Sequence, residues 1–214
     1  MIFKNVQAVL WDWNGTLLHD LGVSIRAMNN MLAKRNILQL TEKRYRDIFT
    51  FPVKDYYVKA GVNFTKYEWD EVAMEFIHNY RNLVPGANLN TQTLEALNFL
   101  MEKGIRQFIL SAMEQEFLKE TVQERLDTTI FEDIVGLNNH YAHTKVENAR
   151  LLVEKLNLPK DAVLMIGDTL HDHEAATAAG IQCLLFCGGH QSRSRLEKAG
   201  TTMIDNLLEI RELF

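Results

Sequence analysis

The sequence predicts an α/β protein, a three-layer Rossmann-like core built on a parallel sheet and carrying an inserted helical unit. Three observations lead there. Short, nearly continuous apolar runs rich in β-formers recur along the chain, at VQAVLWDW (6–13), RQFILSA (106–112), DIVGL (133–137), AVLMIGD (162–168) and QCLLFCG (182–188). Amphipathic stretches lie between them, notably 89–104, 114–126 and 146–158. Apolar strands that alternate with helices are buried on both faces, as in a parallel sheet covered by helices. Finally, residues 18–85 interrupt the alternation with helical patterns such as SIRAMNNMLAKRN and YEWDEVAMEFIHNYRNL and offer no central strand.

The first strand ends in an Asn-Gly turn at 14–15, and the interruption starts just beyond it. The chain re-enters the core at VPGA (84–87), where Pro85 and Gly86 punctuate the return. The expected division is therefore a core of residues 1–17 and 86–214 with a helical cap at 18–85. No internal repeat or low-complexity tract is visible.

Composition narrows the function. A net charge of −5 without any Lys/Arg-rich block excludes the clustered basic face that nucleic acid requires. No run approaches the roughly 18 apolar residues of a membrane span, and the N-terminus lacks the pattern of a cleaved leader. Cys183 and Cys187 would share one strand face about 13 Å apart, too far to bridge. They are expected as buried free thiols in a reducing, cytoplasmic setting.

Open parallel sheets bind ligands outside the carboxyl ends of their strands. There the sequence delivers Asp12 after the first strand, Ser111 after the second, Lys145 in the loop beyond the third, and Asp168 with Asp172 after the fourth. Clustered carboxylates are tolerable around a cation, and an all-oxygen set points to Mg²⁺. A hydroxyl and an ammonium group suit the remaining oxygens of a phosphoryl group. The glycine at 15 allows a tight turn whose amides face an anion.

These residues also carry a resemblance. DWNGTLL (12–18), Ser111, Lys145 and GDTLHD (167–172) resemble, in order, the four motifs of the haloacid dehalogenase-like superfamily. The helical insertion and the VPG re-entry are similar to its branch of phosphoglycolate phosphatases and phosphoglucomutases. The resemblance implies a Mg²⁺-dependent phosphohydrolase of a small phosphorylated metabolite, working through an aspartyl-phosphate on Asp12. It implies Asp12, Asn14, Ser111 and Lys145 as catalytic residues. Trp13, Asn14, Thr16, Ser111, Ala112 and Lys145 would surround the phosphate. Mg²⁺ would be held by Asp12, the Asn14 carbonyl and Asp168, with Asp172 in support. Ala112 stands where the family usually has an asparagine.

Asn14 departs from the family more seriously, because its phosphatases normally have an aspartate there. An amide hydrogen-bonds but carries no proton, and losing a general acid–base costs about 10²–10⁴-fold in rate. The expectation is a slow or leaving-group-selective phosphatase favouring aryl or acyl phosphates. His19 is a candidate substitute proton donor, or simply a surface histidine. Two alternatives stand beside this reading: a catalytically weak relative that binds a phosphorylated ligand or partner protein, and a carbon–halogen or carbon–phosphorus hydrolase. The last would give Lys54 a Schiff-base role. His171 and His173 are expected on a helix surface, and His140 and His143 in a loop. The aromatic stretch FTFPVKDYY (49–57) reads as packing or as a selectivity segment. Oligomeric state is not encoded in any of these patterns.

Overall fold

The computed structural model describes residues 2–137 and 144–214. Among them, six strands form a parallel sheet: β1 (Ala8–Trp11), β4 (Arg106–Glu114), β5 (Asp133–Leu137), β6 (Val163–Gly167), β7 (Gln182–Phe186) and β8 (Thr202–Ile204). The order is β5-β4-β1-β6-β7-β8. A two-residue pair, β2 (Leu18–His19) against β3 (Asn88–Leu89), ties the start of the insertion to its return. β1 is central, and the chain winds first to one side of it and then to the other. Its carboxyl end is therefore a topological switch point, where two crossovers diverge and leave a crevice.

The alternation of β-strand side chains builds two cores. Val9, Trp11, Ile109, Leu164 and Ile166 point to one face, under α5 (Thr93–Glu102) and α6 (Gln115–Gln123). Ala8, Leu10, Phe108, Met165 and Leu185 point to the other, under α7 (Lys145–Leu156) and α8 (Leu170–Ala179). The α/β class expected from apolar runs is the observed one. Strand limits differ modestly. β1 stops at Trp11 because Trp13 turns out of the sheet, its carbonyl accepting from Leu17 and Leu18 amides at 3.1 and 2.9 Å. β8 escaped the reading because three residues, Thr-Met-Ile, give no pattern. Cys183 and Cys187 are buried free thiols, Cys187 one residue past the end of β7.

Between β2 and β3 lie α1 (Leu21–Lys34), α2 (Glu42–Ile48), α3 (Val53–Ala60) and α4 (Trp69–Leu83). They enclose a third cluster of their own, including Met28, Met31, Tyr45, Tyr56, Tyr57 and Val72. α1 packs along α4, and Arg35 joins Glu75 at 2.6 Å. Among the described residues, no helix is long and apolar enough to cross a membrane.

One buried polar chain braces the sheet beneath the crevice. Trp11 Nε1 donates to Gln107 Oε1 at 2.9 Å, and Gln107 Nε2 donates to the Leu97 carbonyl at 3.0 Å. β1, β4 and α5 are thereby linked. Trp11→Phe keeps an aromatic side chain but removes the indole N–H and orphans the buried Gln107 oxygen. We expect destabilisation of about 1–3 kcal/mol, seen as a lower denaturant midpoint with an unchanged m-value; an unshifted midpoint would show the bond to be dispensable.

Candidate active site

Asp12 follows β1 directly, its amide donating to the Ile166 carbonyl at 2.8 Å, so its carboxylate projects from the switch point. The turn after it is held from below. Gly15 has φ +77°, a conformation that side-chain-bearing residues resist, and a Cβ there would come 2.4 Å from Asp168 Oδ2. Only glycine lets the loop lie against that acid. On the other side, a Cβ on Gly189 would approach Asp168 Oδ2 to 2.0 Å. Asp168 is thus wedged between two glycine backbones, accepting from the His190 amide at 2.5 Å and from Thr16 Oγ1 at 3.2 Å.

Lys145 is the first residue of α7 rather than a loop residue, because the Thr144–Glu147 capping box starts the helix there. Its ammonium, 3% exposed, donates to Asp12 Oδ1 and to Asp172 Oδ1. The other oxygen of Asp172 accepts from the Asp168 and Thr169 amides and from Thr169 Oγ1, at 3.1, 2.9 and 2.7 Å. Asp172 therefore caps α8 and anchors Lys145, and both its oxygens are engaged by the protein.

Three carboxylates, Asp12, Asp168 and Asp172, are buried with ligand atoms within 4.8 Å of one another. One ammonium faces them. Burial, then the neighbouring acids, push the Asp12 carboxyl up despite Lys145 beside it. Asp168 is pushed up by burial and Asp172, against His190. Burial opposes charge on Lys145, but Asp12 and Asp172 outweigh it and hold the ammonium protonated. Burial likewise opposes charge on Asp172, and Lys145 and Thr169 overcome it, so this acid is held below its usual range. Such an excess of negative charge in an oxygen-only donor set fits a divalent hard cation.

Asn14 is clamped. Its Nδ2 donates to Tyr80 OH at 2.8 Å and to Asp20 Oδ2 at 3.0 Å. Its Oδ1 faces Ser111 Oγ at 3.4 Å, and Ser111 is itself fixed by the Met113 amide at 3.1 Å. Asp20 is saturated: it also accepts from the Gly15 amide at 2.8 Å, Tyr80 OH at 2.6 Å, and His190 Nε2 at 3.1 Å. A carboxylate so fully bonded is an anchor. The network continues from His190 Nδ1 to Tyr45 OH at 2.9 Å.

The edge thus gathers Asp12, Asn14, Ser111, Lys145, Asp168 and Asp172, with Ala112 also lining the cavity. Two expected phosphate neighbours, Trp13 and Thr16, do not line the cavity. The Trp13 indole is fully buried in the core, its Nε1 without a partner among the described residues, so only its backbone is near. Thr16 turns its hydroxyl to Asp168 and Asp12 (3.2 and 3.5 Å) and braces them. His19 is exposed on β2, paired with Asn88, and does not line the cavity. His171 corrects the expectation of a helix surface: it lines the cavity, its ring stacked on Phe51 at 4.4 Å. His140 and His143 fall outside the described residues.

Asp20, Tyr80, Tyr45 and His190 were not singled out in the sequence. His190 was findable, since GGH follows the β7 strand at the same sheet edge. Tyr45 and Tyr80 were not, because they arrive from the insertion and no strand-end rule places them.

A wound parallel sheet with an acid cluster, a lysine and a hydroxyl at its switch point defines a class of hydrolase. The model of the haloacid dehalogenase-like hydrolase family matches residues 9–186, and the chain belongs to that family. No curated protein matches it. Among solved structures, a haloacid dehalogenase-like family hydrolase from Streptococcus pneumoniae superposes with a TM-score of 0.78 at 19% identity, covering 98% of both chains. A predicted phosphoglycolate phosphatase from Haemophilus somnus gives 0.75 at 16% identity, again over 98% of both. CbbY from Rhodobacter sphaeroides, in complex with phosphate, gives 0.72 at 18% identity over 96% of both. At these identities the likeness establishes the shared fold.

The Asp20–His190 pair makes stability depend on pH. Burial disfavours the imidazolium, but Asp20 outweighs it and raises His190 from 6.5 to about 9. Burial would raise Asp20, but His190, Tyr80 and Asn14 hold it at about 2. The His190 contribution is complete below pH 6.5 and lost as pH rises through about 9; that of Asp20 is present above 3.8 and lost as pH falls through about 2. His190→Gln should therefore lose about 1–3 kcal/mol below neutrality and show a shallower alkaline decline in melting temperature. Parallel pH–stability curves for variant and parent would refute the pairing.

Proposed function

We propose that the protein is a Mg²⁺-dependent phosphohydrolase that transfers a phosphoryl group to Asp12 and then to water, and that it favours good leaving groups. The observation carrying this reading is the buried trio Asp12, Asp168 and Asp172 around a single ammonium. Asp12, Asp168 and the Asn14 carbonyl would hold the ion. When bound, it would neutralise the excess charge and polarise phosphoryl oxygens.

The chain's own residues supply the rest. Lys145 pins Asp12 Oδ1, leaving Oδ2 to attack phosphorus. Ser111 Oγ and Lys145 would hold phosphoryl oxygens. Covalent transfer to Asp12 divides one difficult displacement into two. Proton delivery is the weak step. The titratable neighbours of Asn14 are Asp20, saturated and held ionised, and Tyr80, whose hydroxyl burial drives far above its usual range. A leaving group must therefore depart with little protonation, as aryl oxides and carboxylates do.

Clamped Asn14 also supports a second reading, a weakly active relative that binds a phosphorylated ligand. Asn14→Asp distinguishes the two. It places a carboxylate 3.0 Å from Asp20 Oδ2, and like charges so close retain a proton between them. Turnover of an alkyl phosphate should rise about 10²-fold or more at some loss of stability. No rise on any phosphate, with Asp12→Asn as blank, would favour the binding protein.

Metal dependence has its own readout. Mg²⁺ at about 100 times its dissociation constant should stabilise the fold by about 2.7 kcal/mol, and Asp168→Asn should abolish that gain. A magnesium-insensitive melting temperature in the parent would sink the metal site.

A further inference from the structure

Above the acid cluster lies a cavity of about 350 Å³, near the lower end of the roughly 300–1,000 Å³ of small-molecule pockets. It has two unlike ends. Asp12, Asn14, Ser111, Lys145 and Asp168 form the floor. The insertion forms the opposite wall with Phe49, Phe51, Trp69, Met74, Phe76 and Ile77. Phe49, Phe51, Trp69, Phe76 and Ile77 are only partly buried and Met74 is 53% exposed, so apolar surface remains to be covered.

Among the described residues, the cations lining this cavity are engaged by protein groups. Lys145 is taken by Asp12 and Asp172. Arg81 faces Glu114 at 3.4 Å and lies over the Phe117 ring at 4.0 Å. His190 is taken by Asp20, and His171 by Phe51 and Glu174. Glu114 is thus the partner of Arg81. A carboxylate or second phosphate carried on the substrate's organic part would meet rings and cations already paired, whereas an uncharged ring would bury apolar surface and stack edge-to-face.

Resting on the phosphohydrolase reading, we propose that the substrate is an aryl or aroyl phosphate, whose organic group bears a ring and, while bound to phosphorus, no charge of its own, seated against Phe51, Trp69 and Phe76. The preference is built into the insertion wall and is separate from the demand that Asn14 makes on leaving-group acidity.

Binding and turnover test this separately. Calorimetry in Mg²⁺ compares benzylphosphonate, methylphosphonate and phosphonoacetate, which share the phosphonate and cannot be hydrolysed as esters. Benzylphosphonate should bind roughly 10-fold or more tighter than either. Phe51→Ala should shrink that ratio several-fold. Met74→Lys, at an exposed helix position, should shift the ratio toward phosphonoacetate. In turnover, benzoyl phosphate should exceed acetyl phosphate in kcat/KM by a similar factor, although their leaving carboxylates are of similar acidity. Preferential benzylphosphonate binding without turnover of either acyl phosphate would uphold the ring-bearing ligand and fell only the hydrolase reading. Equal or tighter binding of methylphosphonate or phosphonoacetate, or no binding of any of the three, would overturn the proposal.

Discussion

Everything at the sheet edge answers to one constraint: three carboxylates are buried within a few ångströms of each other, and one ammonium is the counter-charge that touches two of them. Desolvated like charges disfavour ionisation strongly. The surrounding structure resists the tendency of these acids to separate. Gly15 and Gly189 press Asp168 from both sides, Thr16 and the His190 amide bond it, and the start of α8 fixes Asp172. Electrostatic discomfort held in place by a rigid frame is how a fold prepares a site for a multivalent partner.

The second layer of the site is a polar network of different character. Asp20 accepts from the loop backbone, Asn14, Tyr80 and His190, and His190 reaches Tyr45. Here charge is balanced, and each group has its donor or acceptor. Other contacts seat the insertion beside it. Arg46 donates to the Gly188 carbonyl at 2.8 Å, and Gln191 Nε2 donates to the Phe49 carbonyl at 3.0 Å. The segment that carries His190 is therefore bonded to α2 and to the residues just after it.

The sheet and the edge residues were legible because periodicity and strand ends are local properties. An apolar run such as AVLMIGD declares both a buried strand and the acid at its tip. Lys145 was legible as a position and misread as a loop, since the capping box that makes it helical depends on Glu147 as much as on Thr144. Thr16 and Trp13 look alike in sequence as neighbours of Asp12, yet one turns to the acids and the other into the core. That choice belongs to side-chain direction within a turn, which no short pattern fixes. The insertion's contribution stayed hidden for a deeper reason. The stretch 49–57 sends Tyr56 into the helical core and Phe51 to the cavity, while Phe49 and Tyr57 serve both. Only packing decides which ring goes where.

Tyr80 sits near the end of α4 and bonds Asn14 and Asp20 at once. The insertion and the loop after Asp12 are consequently coupled like parts of an interlock. Swinging the helices outward would pull the phenol away, release the amide of Asn14 and slacken the turn beside Asp12. The set of the insertion and the shape of the turn beside Asp12 would then change together, since one phenol belongs to both.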